Sequence, residues 1–292
     1  MRGYSRRQFI ATGIAAGTLA SVSNLSLASA TATATDPVTL GKSGMRVTRL
    51  AFGTGTNNGH VQAALGQEGF TKLVRYAYDR GIRFFETAEA YVTPAMLGEA
   101  LKGLPRESYR LMNKVTTDEG VDPSVRFDQM LRNSRTEYFD ILLLHYMHTP
   151  TWVSDTARWQ DGLHQAQEKK LVLNRGASVH GLPALRQVPG NAWMEVAMIR
   201  MNHKGASMDT EANQRGPGNV DEVVQHVHRV KQEGMGVISM KLIGEGVFTQ
   251  REDRQAAMKF AFQHAGVDSV TVGFKSTQEI DEAIDNLNLA LA

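Results

Sequence analysis

From residue 47 onward the chain repeats one unit eight times, a short apolar run followed by a stretch with helical periodicity. Strands are read at 47–52, 83–86, 109–115, 141–144, 171–177, 194–201, 236–240 and 269–273. Helices are read at 70–80, 94–104, 123–135, 157–169, 182–188, 219–233, 252–264 and 277–289. Local rules support these readings. Leu73, Val74 and Ala77 share a helix face before Gly81 stops the chain, Pro94 opens a helix, and Asp122 precedes Pro123 as a cap. Ile141-Leu142-Leu143-Leu144 is a continuous apolar run, suited to a strand buried on both faces. Strict alternation of this kind implies a parallel sheet with helices outside. Eight units in about 250 residues fit an α/β fold closed into a (β/α)8 TIM barrel better than an open sheet. The open, doubly wound alternative calls for Gly-x-Gly-x-x-Gly after its first strand. Gly53-Thr54-Gly55-Thr56-Asn57-Asn58 lacks the third glycine. Residues 39–48, with Gly41 and Gly44, are placed as a small hairpin plugging the barrel bottom.

Ahead of the barrel, residues 1–30 read as an address. Ser5-Arg6-Arg7-Gln8-Phe9-Ile10 is followed by no charged residue until Asp36, and Ala28-Ser29-Ala30 offers a small-x-small cleavage site. A membrane anchor is the alternative. The Gly, Thr and Ser content makes the segment too weakly apolar to span, so no stable anchor is expected. The paired arginines followed by x-Phe-Ile resemble a twin-arginine signal, which implies export of a folded protein to the periplasm or another extracytoplasmic space, with the twin-arginine machinery as partner. Residues 31–38 then read as a linker, and 39–292 as one domain.

Three arginines and no acid lie in residues 1–30, so the chain's formal charge of +2 becomes −1 for the remainder. A nearly neutral body has no electrostatic footprint for nucleic acid. The absence of cysteine excludes disulfides, Cys-ligated zinc, iron–sulfur clusters and a thiol nucleophile. His226 and His228 lie two apart and the other histidines show no ligand spacing, so no metal is expected.

Chemistry in a (β/α)8 barrel gathers at the C-terminal ends of the strands. The polar residues there are Glu86 and Tyr91 after strand two, Lys114 in strand three, His145 after strand four, and Ser178 with His180 after strand five. Asn202, Lys241, and Lys275 with Ser276 follow strands six to eight. A phenol beside an ammonium held by a carboxylate can donate a proton to a carbonyl oxygen while hydride reaches the carbon. The cation is expected to lower the phenol pKa from about 10 toward working pH. A neutral histidine alongside can orient the oxygen.

Several blocks resemble the aldo-keto reductase family. Gly81-Ile82-Arg83-Phe84-Phe85-Glu86-Thr87-Ala88-Glu89-Ala90-Tyr91 is similar to its Gly-x-x-x-Phe-Asp-Thr-Ala-x-x-Tyr motif. Leu97-Gly98-Glu99-Ala100-Leu101-Lys102, Asn113-Lys114-Val115, residues 138–145, and Gly176-Ala177-Ser178-Val179-His180 follow in family order, as do residues 236–246 and 270–276. The likeness runs from Leu40 to about Leu287, and residues 199–206 look like the shorter, prokaryotic branch. The resemblance implies a catalytic tetrad of Tyr91, Lys114, Glu86 and His145. It implies NADP, or NAD, bound across Gly53, Thr54, Ser178, Asn202, Lys241, Leu242, Gly244, Gly246, Gly273, Lys275 and Ser276, a small carbonyl substrate, and a monomer. The sequence departs from the family in carrying Glu86 for Asp, Met198 and Met201 for an amide and an aromatic residue, Val179 after the serine, and Glu279 and Ala283 near the adenosine. Two rivals stay open: a lyase using Lys114 as a Schiff base, and an exported barrel that binds cofactor without turnover.

Overall fold

The structure, a computed structural model, describes residues 31–211 and 216–292. The signal-like segment lies outside the described residues.

Eight parallel strands close into a barrel: β1 Leu50–Gly53, β2 Phe84–Glu86, β3 Arg110–Val115, β4 Phe139–Met147, β5 Val172–Val179, β6 Val196–Arg200, β7 Gly236–Met240 and β8 Ser269–Gly273. Each pairs with its neighbour in chain order, and β8 closes the ring by pairing with both β7 and β1. The enclosing helices are α1 Gly66–Asp79, α2 Pro94–Leu101, α3 Pro123–Asn133, α4 Ala157–Glu168, α5 Leu182–Leu185, α6 Val220–Gln232, α7 Arg251–Lys259 and α8 Thr277–Leu291. The expected (β/α)8 order is the observed one.

Boundaries moved where tertiary pairing overrode the local pattern. Strand β4 continues past Leu144 through His145 to Met147, with a register shift against β5 and Tyr146 in the left-handed region at φ 65°. The helix expected over 252–264 ends at Lys259 and continues as a π turn, Phe260–His264. The cap read at Asp122 is observed, its carboxylate accepting the Ser124 and Val125 N–H groups, and the structure adds a second at Ser276, which accepts that of Glu279.

Alternate residues of a strand face opposite sides. One set faces outward to the helices, as Leu50, Phe52, Phe85, Leu142, Ala197 and Val270 do in the main core. The other set, with Ala51, Phe84, Met112, Ile141, Leu143, Val196, Met198, Ile238 and Met240, fills the barrel interior. The hairpin of Pro37–Thr39 and Arg46–Thr48 adds Leu40 and Val47 to that inner cluster. Gly41, at φ 45°, is bridged to Met235, and any side chain there would run into the backbone of Gly234 and Met235. The hairpin therefore stoppers one end and leaves the other for chemistry.

The linker reading of residues 31–38 is corrected. Ala34 is fully buried, its N–H donates to Asn288 Oδ1 of α8 at 2.7 Å, and its carbonyl accepts the Leu50 N–H at 2.9 Å. Pro37–Thr39 is already hairpin strand. These residues have barrel backbone within reach, and unpaired buried N–H and C=O groups would be costly.

Replacing the fully buried Leu40 with alanine is expected to lower the unfolding free energy by about 2–5 kcal/mol. Urea denaturation would read that loss, and ligand binding at the opposite end should persist.

Candidate active site

Two residues beyond the inner apolar layer, the same strand faces turn polar. Phe84 is followed on its face by Glu86, Met112 by Lys114, Leu143 by His145, and Met198 by Arg200. Gly176 and Ser178 pair with Val196 and Met198, so Ser178 also faces inward. Period-two geometry alone thus brings Glu86, Lys114, His145 and Ser178 to one mouth.

Lys114 is 1% exposed and ion-paired with Glu86, and its ammonium also donates to the Thr87 carbonyl at 2.8 Å. The extra methylene of Glu86 therefore does not prevent the brace. Its other oxygen lies 3.4 Å from Thr271 Oγ1. Tyr91 arrives from the loop after β2, which is strapped to β3 by Thr87 N–H to Met112 O (3.0 Å) and Glu89 N–H to Lys114 O (2.9 Å). Glu89 pairs with Arg126 and accepts the Thr116 N–H at 3.1 Å. The Lys114 ammonium sits 4.9 Å from the centre of the Tyr91 ring, and the ring meets His145 edge-on at 5.7 Å. Gly55 backs the phenol: a Cβ there would lie 2.6 Å from Tyr91 Oη.

Burial dominates the electrostatics. The Tyr91 phenol is pushed up to about 12, correcting the expectation that a neighbouring ammonium would lower it. Lys114 is itself ion-paired to Glu86 and lies against the ring, so its charge does not offset the loss of water. Lys114 is drawn well below ordinary lysine by burial and by the Lys241 cation. His145 falls to about 3, through burial and then the Lys114 and Lys241 charges, and so is neutral at any working pH.

Behind His145 lies a buried ring, His180, with centroids 6.3 Å apart. Arg200 Nη2 lies 2.5 Å from His180 Nδ1, and Ser178 Oγ lies 3.0 Å from Nε2. Because a guanidinium only donates, Nδ1 accepts and the ring proton sits on Nε2, aimed at Ser178. Arg200 is also 3.4 Å from Asp209, whose carboxyl burial raises to about 6 against the pull of Arg200 and the Gly181 N–H. The sequence reading missed Arg200 and Asp209, although an arginine two residues beyond Met198 on an inward face was a signal.

A groove of about 570 Å³ opens beside Tyr91 and Glu86. Of the expected cofactor residues, Gly53, Lys241, Leu242, Gly246, Gly273 and Lys275 line it. Thr54, Ser178, Asn202, Gly244 and Ser276 do not line it. The Thr54 hydroxyl bonds those of Thr87 (3.0 Å) and Thr93 (2.9 Å). Asn202 uses its amide to fold its own loop, donating to Ala206 O and Lys241 O and accepting the Lys204 and Ala206 N–H groups. Gly244, at φ 60°, shapes a turn, and Ser276 caps α8. Sequence reasoning missed Gly55, Thr56, Gln62, Arg254, Glu282 and Asn286, which line the groove too. Arg254 is bound to Glu282 of α8. Trp152 and Trp159 pack in the core, Trp152 Nε1 donating to Ala184 O at 3.2 Å and Trp159 lying edge-on to Phe127.

The groove suits a dinucleotide. Gly53, Gly55, Gly246 and Gly273 let backbone approach a ligand closely, while Met198, Met240 and Phe248 offer apolar faces. Gln62, 1% exposed, donates to Thr56 Oγ1 and Phe274 O, but its Oε1 has no hydrogen-bond partner among the described residues. A buried acceptor on a groove wall is a place for a ligand donor.

A closed barrel with a Tyr–Lys–Glu–His mouth beside a long groove is the architecture of a nucleotide-assisted barrel enzyme. The aldo/keto reductase family model matches residues 49–258, and the chain belongs to that family. The soybean (Glycine max) protein "Probable aldo-keto reductase 1" is 25% identical over 180 residues, 54% of this chain and 52% of that one. The chain thus spans about half the length of that relative. A holo aldo-keto reductase from Bacillus halodurans superposes with a TM-score of 0.70 at 15% identity, covering 88% of this chain and 95% of that one. One from Klebsiella pneumoniae, solved in complex with NADPH, gives 0.67 at 15% identity, covering 87% and 90%. At such identities the likeness speaks to the fold.

His145 makes stability pH-dependent. Unfolded, the ring takes a proton near 6.5, whereas folded it stays neutral to about 3. Between these values the unfolded chain binds more protons, so stability falls as pH is lowered. Urea unfolding from pH 7 to pH 4 is expected to lose up to about 1.4 kcal/mol per pH unit through this ring. His145→Gln should remove that share of the slope.

Proposed function

We propose that the protein reduces an aldehyde or ketone with a nicotinamide dinucleotide, NADPH or NADH. The observation that carries this reading is the convergence of Tyr91, Lys114, Glu86 and His145 beside the groove. When bound, the reduced nicotinamide supplies hydride to the carbonyl carbon. Tyr91 gives its phenolic proton to the oxygen, and a phenol held near 12 in the free protein arrives at the reaction protonated. Lys114, kept in place by Glu86 and Thr87, faces the phenolate that proton transfer leaves. Neutral His145 offers an N–H to align the carbonyl oxygen. Gly53, Gly246 and Gly273, with Lys241 and Lys275, would hold the dinucleotide along the groove.

A Schiff-base role for Lys114 gains from its depressed basicity, but the amine is buried and held by two acceptors. Borohydride trapping of a substrate on Lys114 would favour the lyase. For the whole chain we propose the shorter, prokaryotic branch of the family, a monomer exported through the twin-arginine route to an extracytoplasmic space. The Arg6-Arg7 pair and the Ala28-Ser29-Ala30 site support that route. Replacing both arginines with lysine should keep the protein in the cytoplasm by cell fractionation, and unchanged export would overturn it.

Tyr91→Phe is expected to lower carbonyl reduction by roughly 10²–10⁴-fold while fluorescence quenching still reports dinucleotide binding. Undiminished turnover would remove Tyr91 from the chemistry. Gly55→Ala, which pushes on the same phenol, is expected to lower kcat by about 10²-fold, measured against a thermal melt that reports folding.

A further inference from the structure

The reactive end of the groove is fixed by Tyr91 and Glu86. The adenosine half of a dinucleotide must then lie at the other end, among Arg254, Lys275, Glu279, Glu282 and Asn286. We infer that this outer end selects the dinucleotide without a 2′-phosphate, so that the protein works with NAD(H) in preference to NADP(H). The inference rests on the dinucleotide reading above.

Three cations line the groove, and each is held by a carboxylate that also lines it. Lys241 pairs with Glu245, and Lys275 lies 3.8 Å from Glu279. Arg254 is bound on two nitrogens by Glu282, at 2.6 and 2.8 Å. A 2′-phosphate brings nearly two negative charges and calls for charge-assisted donors not already engaged. At the outer end the fork of Arg254 is filled, and Lys275 already faces a carboxylate of the protein.

Backbone donors there are engaged too. The Lys275 N–H donates to Glu279 Oε2 at 2.8 Å, and the Glu279 N–H donates to Ser276 Oγ at 3.3 Å. The Glu279 carboxylate thus takes the N–H just ahead of α8, and the Ser276 hydroxyl takes one in its first turn, donors that an anion would otherwise use. The Lys275–Glu279 pair is exposed and weak in itself. Discrimination comes instead from a fixed carboxylate facing the place where a second anion would have to go. That carboxylate is a fit acceptor for the two hydroxyls of an unphosphorylated ribose. The pyrophosphate is common to both cofactors and does not enter the comparison.

Quenching of intrinsic fluorescence by NADH and NADPH on the purified protein tests this, with AMP and 2′,5′-ADP, which differ only in the 2′-phosphate, as competitors that probe the outer end. NADPH is expected to bind at least 10-fold more weakly than NADH, with 2′,5′-ADP displacing NADH less well than AMP. Glu279→Gln or Glu282→Gln should narrow the NADPH/NADH ratio at least 5-fold. NADPH binding as tightly as NADH, or a ratio unmoved by both variants, would overturn the inference while leaving the reductase reading intact. If neither dinucleotide binds, the reductase reading falls and takes the inference with it.

Discussion

The organisation of the mouth depends on one buried ion pair. Lys114 is an ammonium on an inward strand face with almost no access to water, a placement that is costly without a partner. Glu86, on the adjacent strand, supplies one, and the Thr87 carbonyl supplies another acceptor. Removing either ion of such a pair leaves a buried charge uncompensated, at about 3–5 kcal/mol. The pair also shares its surroundings with the neighbours that matter: Tyr91 above the ammonium, Thr271 beside the carboxylate, and Gly53, where a Cβ would lie 3.2 Å from Glu86 Oε2. Holding Lys114 therefore also constrains the loop that carries the phenol and the floor of the groove.

Around that pair the barrel layers its chemistry by parity. The same faces that bury Phe84, Met112 and Leu143 carry Glu86, Lys114 and His145 two residues later. A hairpin closes the far end with Leu40, so the polar groups have one exit. Burial and the neighbouring cations hold His145 and His180 neutral, and the Arg200–His180–Ser178 chain assigns the proton on the second ring. Much of the site's electrostatic character thus follows from excluding water rather than from surface charge.

How much of this the amino-acid sequence disclosed differs with the range of the interaction. Alternation of apolar runs gave strand order and closure, because each β unit pairs with the next in the chain. Glu86, Lys114 and His145 stood out because a polar side chain at the end of an apolar strand costs free energy unless it is paired or put to use there. Tyr91 stood out by its short distance from Glu86 along the chain. Residues 31–38 misled, since a Thr/Ala-rich run shows no sign of the Asn288 amide that receives Ala34. The groove's outer wall was equally hidden. Arg254 gives no local sign of its partner, because Glu282 lies on a different helix. The Tyr91 phenol was misjudged by weighing a nearby cation without the burial that outweighs it.

Bonding of Ala34 to Asn288 and pairing of β1 with β8 bring the earliest and latest described elements into one neighbourhood. Order of synthesis then matters. A nascent chain can build its middle strands and helices as they emerge, but the ring cannot shut until the final strand has left the ribosome. Completion therefore waits for β8, and until then the open edges of β1 and its unfinished neighbours need shielding from other chains.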